Sequence, residues 1–175
     1  QREYYINDSG RQIQTLGRSV LLRARQLLGE KVDFPEDCYP GEYVQEIAQA
    51  VLDAQGADFV RQGGDAAILH SARFAAGRII AGIRRDLEQF GIAFDAWFSE
   101  QSLYDSGQVE QCLEELKSRQ VVYLQDGAWW FKTTDFGDEK DRVVVRQNGQ
   151  TTYFASDIAY HRDKLRRGFD RIIDV

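Results

Sequence analysis

Two dipeptides do most to limit the folds open to this chain. Asp126-Gly127 stands between the runs Val121–Leu124 and Ala128–Lys132, and Asn148-Gly149 between Val143–Gln147 and Gln150–Phe154. Both central residues of a type I′ turn need positive φ, which Gly, Asn and Asp tolerate best, so each dipeptide predicts a tight antiparallel hairpin. An all-helical chain is thereby excluded. Helical periodicity fills much of the rest. Ile13, Leu16, Val20, Ala24 and Leu27 form one stripe, stopped by Gly29. Val44, Ile47, Ala48, Val51 and Leu52 form a second, closing near Gly56, and Ile68, Ala72, Ala76, Ile79, Ile83, Leu87 and Phe90 a third, before Gly91. Strands are expected at Glu3–Ile6, Ile92–Phe98 and Arg171–Val175, and a short helix at Val109–Leu116. A last helix is expected to be capped by Ser156 or Asp157 and stopped by Gly168. The fold class is α/β.

A chain of 175 residues with 43% hydrophobic content can build a core for one domain, or one lobe with an insertion. Its net charge of −6 excludes a general nucleic-acid coat, which would be basic, while leaving local RNA contacts open. Cys38 and Cys112 have neither metal-ligand nor redox spacing and read as buried, reduced thiols. No apolar run approaches membrane length, and no signal peptide opens the chain. The chain begins at Gln1 and contains no Met, which suggests an internal stretch of a longer protein.

Tyr153 and Asp157 fall four residues apart, where a strand pattern changes to a helix pattern. A phenol and a carboxylate so placed can face one pocket and together suit a planar cation. Each also has an ordinary explanation: a packed aromatic at a strand end, and a helix cap. His161 lies one turn after Asp157 and is a candidate supporting residue, while His70 reads as a structural histidine beside core positions. Two histidines do not make a histidine-based metal site. Asp135-Phe136-Gly137 matches a kinase motif by letters only, since no Gly-rich loop or catalytic loop accompanies it. Gly63-Gly64 lies between helix patterns and makes a poor phosphate loop. Arg162, Lys164, Arg166 and Arg167 read as a solvated face complementing a helix dipole. The Asp138–Arg142 run reads as a solvated bend.

Several segments, in order, resemble the catalytic domain of bacterial arginyl-tRNA synthetase. They are Tyr4-Tyr5-Ile6-Asn7-Asp8-x-Gly10-x-Gln12, Tyr39-Pro40-Gly41-Glu42-Tyr43, and Phe94-Asp95-x-Trp97-x-Ser99-Glu100-x-Ser102-Leu103. Asp126-Gly127-Ala128-Trp129 and Gly137-Asp138-x-Lys140-Asp141-Arg142-Val143 follow, then the run through Tyr153 and Asp157 and Lys164-x-x-Arg167-Gly168-Phe169-Asp170. The resemblance implies part of a class I synthetase Rossmann-like catalytic domain with helical and β-hairpin insertions. Residues 1–31, 65–104 and 151–175 would be Rossmann-like, with insertions at 32–64 and 105–150. It implies an enzyme of the cytoplasm, not the membrane, that activates arginine with ATP and Mg²⁺ and transfers it to tRNA(Arg). Tyr153 and Asp157 would hold the arginine side chain, and the charged run near Asp138 would shape the site wall.

The family's two nucleotide-binding signatures, His-x-Gly-His and Lys-Met-Ser-Lys-Ser, would lie before Gln1 and beyond Val175, so no catalytic or ATP-contacting residue is assigned within the chain. A non-catalytic interaction or RNA-binding module derived from the same domain is the competing reading, and an unrelated small nucleotide-binding enzyme a more distant one. On the leading reading the isolated 175-residue chain is expected to be inactive. Arginine-dependent exchange of pyrophosphate into ATP by the purified chain should not exceed a no-enzyme control.

Overall fold

The computed structural model describes residues 1–175. The chain divides into two compact units, one of residues 1–4 and 8–97, the other of residues 5–7 and 98–175. A two-stranded ribbon of β1 (Glu3–Ile6) and β2 (Ala96–Ser99) contributes residues to each.

The first unit is built on α1 (Gly10–Leu27), α2 (Glu42–Gln62) and α3 (Gly64–Gln89). Leu16, Val20, Leu21 and Ala24 of α1 meet Val44, Ile47, Ala48, Val51 and Val60 of α2 and Ala67 and Ala75 of α3. The stripes expected for α1 and α2 are thus the ones buried, apart from Leu27, which is exposed. Gly56, with φ 83°, breaks α2 without ending it. The buried face of α3 overlaps the expected stripe, with Ala72 buried and Ile68 and Ile79 packed on the core, but is centred one position earlier along the helix. Ala67, Ser71, Ala72 and Ala75 are buried, while Phe90 lies past the helix end and is 87% exposed. Small residues win here because α1 comes very close. A Cβ on Gly17 would stand 2.2 Å from the Ile68 carbonyl oxygen and 2.7 Å from the Ala72 Cβ. By length and composition alone α3 also falls in the range of a membrane-crossing helix, contrary to expectation. Its alanine face nevertheless packs in the helical core.

Gly91 stops α3 as expected, with Gly91 N–H donating to Glu88 O and Ile92 N–H to Leu87 O, the Schellman pattern. That closure uses the residues first expected to begin a strand, so β2 starts only at Ala96. Tyr4 then stacks on Trp97 at 4.6 Å and meets Phe94 edge-on at 5.2 Å. His70 is exposed rather than lodged in the core, edge-on to Phe59.

The second unit runs through α4 (Glu100–Asp105), α5 (Gln108–Ser118), β3 (Val122–Gln125), β4 (Ala128–Phe131), β5 (Arg142–Val145) and α6 (Tyr153–Arg166). The Asp126-Gly127 hairpin forms as expected, with Gln125 opposite Ala128 and both turn residues at positive φ, 50° and 76°. β5 adds antiparallel to β4 beyond a bulge at Trp129 and Trp130. One face of this sheet, with Val122, Trp129, Phe131 and Val144, packs with Leu103, Val109, Cys112, Ala155, Ala159 and Tyr160. Both cysteines are buried and free.

The second hairpin is cut short. Its turn is not the expected two-residue one: Gly149 has positive φ but Asn148 does not, Arg146 N–H donates to Gln150 O around a three-residue loop, and the return arm amounts to a single bridge between Val145 and Thr151. Residues 153 and 154 belong to α6 instead. Residues 171–175 form no strand, and Ile173 is 88% exposed. A strand exists through its ladder partners, and no segment of the chain pairs with this one.

The two packing observations on glycine give opposite expectations. Gly17→Ala should lower stability by about 1–3 kcal/mol, because the new methyl meets backbone. Gly77→Ala, in open space within α3, should raise it by about 0.5–1 kcal/mol. Urea unfolding midpoints of the two variants check both signs.

Candidate substrate site

The first turn of α6 is fixed from β5. Thr152, the residue before the helix, donates its hydroxyl to Val143 O at 2.7 Å and its N–H to Val144 O at 3.0 Å. Thr152, not Ser156 or Asp157, is therefore the N-cap, and its hydroxyl is used on the sheet rather than on the helix N–H groups. The helix starts earlier than its acidic residue because the sheet holds Thr152 at its threshold.

Tyr153 is then the first helical residue, not the last of a strand, and is 74% exposed. Asp157 follows four residues later, on the same face. Neither residue lines the two surface cavities, of about 530 and 450 Å³, which gather around Arg18 and Trp130 respectively. The residues that do gather around Asp157 come from three elements. Glu100 of α4 is only 5% exposed, and its Oε1 lies 2.5 Å from the Ser156 hydroxyl, which also reaches the Tyr153 carbonyl at 2.8 Å. Tyr5 of β1 packs its ring 4.7 Å from that of Tyr160, which lies 4.5 Å from Phe98.

Asp157 is half-buried. Burial pushes its carboxyl above the ordinary aspartate range, the Glu100 charge adds to the shift, and His161 and Lys164 oppose it. Both side chains turn to another partner. Lys164 Nζ lies 2.7 Å from Asp174 Oδ1 and 4.2 Å from the centre of the Tyr160 ring, and His161 Nε2 lies 3.6 Å from Asp174 Oδ2. His161 thus acts on Asp157 through charge, not contact. Two carboxylates remain together with a phenol one turn away, which is an arrangement for a cation.

The cationic end of α6 is tied down by ion pairs. Arg162 meets Glu115 at 2.7 Å and Arg167 meets Asp163 at 2.9 Å. The Asp138–Arg142 run is a braced bend. Arg142 donates to both oxygens of Asp138, at 2.7 and 2.9 Å, holding that carboxyl well below the usual range. Asp141 accepts from the Tyr123 hydroxyl and from Thr134. Tyr153 lies within electrostatic reach of Arg142.

Glu100 escaped the residue-by-residue reading, although it stands in the quoted Ser99-Glu100 match. Glu100 stands among polar neighbours, Ser99, Gln101 and Ser102, so no local pattern marked it; its burial and its bond to Ser156 are tertiary facts.

Comparison with known proteins decides the family. The family described as tRNA synthetases class I (R), catalytic domain, matches residues 48–175. The chain belongs to that family. It is 56% identical over 175 residues to the arginine–tRNA ligase of Citrifermentans bemidjiense, covering all of this chain and 32% of that protein. It is 59% identical to the arginine–tRNA ligase of Desulfosudis oleivorans, covering 99% of this chain and 31% of that one. The fold matches an arginyl-tRNA synthetase structure from Campylobacter jejuni with a TM-score of 0.84 and 39% identity, over 97% of this chain and 37% of that one. The arginyl-tRNA synthetase of Plasmodium falciparum, at 13% identity and a TM-score of 0.57, shares the fold. The chain spans about a third of the length of the curated relatives it matches.

The raised Asp157 carboxyl makes a prediction about the ligand-free chain. Its folded pKa exceeds its unfolded one, so folding takes up protons between the two and stability falls as pH rises through that window. The penalty is absent below the unfolded value of about 3.9 and complete above the folded one. Asp157→Asn should therefore melt higher than the native chain near neutral pH and equal it near pH 3, in paired thermal melts.

Proposed function

We propose that this chain is the part of an arginine–tRNA ligase that recognises the substrate's side chain, with Asp157 and Glu100 as carboxylate partners of the guanidinium and Tyr153 at its edge. The observation that carries the reading is the gathering of two carboxylates at the start of α6, one buried and one half-buried, while the neighbouring Lys164 pairs with Asp174 and His161 lies beside the same carboxylate. Like charges held together in a partly desolvated place raise the free energy of the empty site. A bound cation removes that cost. A guanidinium is planar, keeps its charge at any physiological pH, and presents N–H groups along several edges, so it can meet two carboxylates at once. Lysine offers a compact charge on a different stem and leaves part of the site unpaired. A site built on buried polar partners can discriminate by about 10⁴-fold against such an analogue. Tyr153 adds a hydroxyl or a ring face. His161 tunes Asp157 from one turn away.

In the whole enzyme the arginine carboxylate attacks the α-phosphate of ATP, expelling pyrophosphate, and the arginyl group then passes to the terminal ribose of tRNA(Arg). Residues of this chain bind and orient the amino acid, which supports catalysis by position rather than by proton transfer. ATP and Mg²⁺ are assigned no residue here. Similarity to ligases named for arginine supports the substrate class.

The test is steady-state kinetics on the full-length enzyme containing this chain. Removing one partner of a buried ion pair costs about 3–5 kcal/mol, or roughly two to four decades in affinity. Asp157→Ala should lower kcat/KM for arginine by about that factor, with the KM for ATP and the melting temperature little changed. Normal arginine kinetics in that variant would remove Asp157 from the site and reduce it to a residue of the helix's first turns.

A further inference from the structure

Tyr5 enters this cluster from β1, and the sequence gives it no role. Its ring is held by packing, 4.7 Å from Tyr160 and 6.3 Å from Phe98, with those two rings 4.5 Å apart. Its hydroxyl is sealed from solvent and makes no well-formed hydrogen bond within the protein, although it lies close enough to the Glu100 carboxylate and the Ser156 hydroxyl to interact with both. A buried hydroxyl left unpaired costs about 1–3 kcal/mol, so a native fold that keeps one calls for a reason. A phenylalanine would fill the same space without that cost.

The polar groups acting on the hydroxyl are Glu100, Ser156 and Asp157. Burial, and then the charges of Glu100 and Asp157, push the phenol well above its usual range, so it keeps its proton and can only serve them as a donor. Glu100 has capacity for it. Oε1 is engaged by Ser156, and an ionised carboxylate has about four acceptor positions over its two oxygens. In the empty site the two carboxylates repel each other, and Ser156 makes the one well-formed side-chain hydrogen bond to Glu100.

We infer that Tyr5 is a positioning residue for arginine recognition: in the substrate-bound state its O–H donates to the second oxygen of Glu100 and, with Ser156, fixes the plane of that carboxylate against the guanidinium. The inference rests on the reading of Glu100 and Asp157 as the guanidinium's partners. Bidentate recognition is sensitive to the angle of the carboxylate as well as to its charge. Ser156 alone leaves Glu100 free to turn about one hydrogen bond, and a second donor on the other oxygen stops that rotation. The aromatic packing of Tyr160 and Phe98 gives Tyr5 the rigidity such a role requires.

A double-mutant cycle in the full-length enzyme tests this. Tyr5→Phe, Glu100→Gln and the pair are compared with the native enzyme in arginine-dependent pyrophosphate exchange, with the KM for arginine, the KM for ATP and the melting temperature read for each. Tyr5→Phe should raise the arginine KM by about tenfold or more while leaving the KM for ATP unmoved and the melting temperature unchanged or higher. In the Glu100→Gln background the same change should matter by less than about twofold, because the hydroxyl acts through that carboxylate. An unchanged arginine KM in Tyr5→Phe overturns the inference. So does an effect of full size in the Glu100→Gln background, or equal losses for arginine and ATP with a lowered melting temperature, which would mark Tyr5 as structural. If Tyr5→Phe is silent while Glu100→Gln and Asp157→Ala both lose arginine, the proposed function stands and this inference falls. If neither carboxylate variant affects arginine, the proposed function fails and takes the inference with it.

Discussion

The short hydrogen bond between Ser156 and Glu100 joins α6 to α4 inside the second unit, and the rest of the candidate site depends on it. Glu100 is almost fully buried. A carboxylate in that position needs donors, and the Ser156 hydroxyl is the one the fold supplies. Ser156 is placed to do so because α6 begins at Tyr153, and α6 begins there because Thr152 is tied to the carbonyls of β5. Moving the start of the helix by one residue would rotate its side chains by about 100°, from the 3.6-residue turn, and carry Ser156 away from Glu100. Asp157 would leave the cluster with it.

That arrangement sets stability against binding. A half-buried Asp157 beside a buried Glu100 is an unfavourable electrostatic pair in the absence of a cation, and burial already pushes the Asp157 carboxyl upward. The fold contains cations near enough to relieve it, yet His161 and Lys164 meet Asp174 instead. Perturbed groups of this kind concentrate at functional sites, though ion-pair networks also produce them. Here the family supplies the second support, and the geometry says which carboxylate the family resemblance had passed over.

The bend at Asp138–Arg142 shows how much work a mixed-charge run can do for a backbone. Three of its five charged side chains have a local use: Arg142 clasps Asp138, and Asp141 caps Thr134 and receives Tyr123, while Thr133 donates to the Lys140 carbonyl. The aromatic rings of Phe131 and Phe136 stack just before it, 5.7 Å apart and nearly parallel. Such a bend delivers β5 in a fixed register, and β5 in turn delivers Thr152 to the threshold of α6. The charges act on the path of the chain, and Arg142 lies within electrostatic reach of Tyr153.

The sequence by itself determined the features governed by neighbours along the chain. The Asp126-Gly127 hairpin, the helices stopped at Gly29, Gly91 and Gly168, and the buried stripes of α1 and α2 follow from turn chemistry and local periodicity. The family was legible too, because its short motifs recur in order along the chain. Tertiary structure decided what distant residues compete for. The return arm after Asn148-Gly149 had strand character, but the sheet's hold on Thr152 and the bond from Ser156 to Glu100 gave those residues to a helix. The most buried positions of α3, Ala67, Ser71, Ala72 and Ala75, were set by the close approach of Gly17, while Ile68 and Ile79 of the stripe that periodicity had marked pack beside them. The second carboxylate of the site was invisible for the same reason. Glu100 and Asp157 are 57 positions apart, and only packing brings such a pair of like charges together and makes them matter.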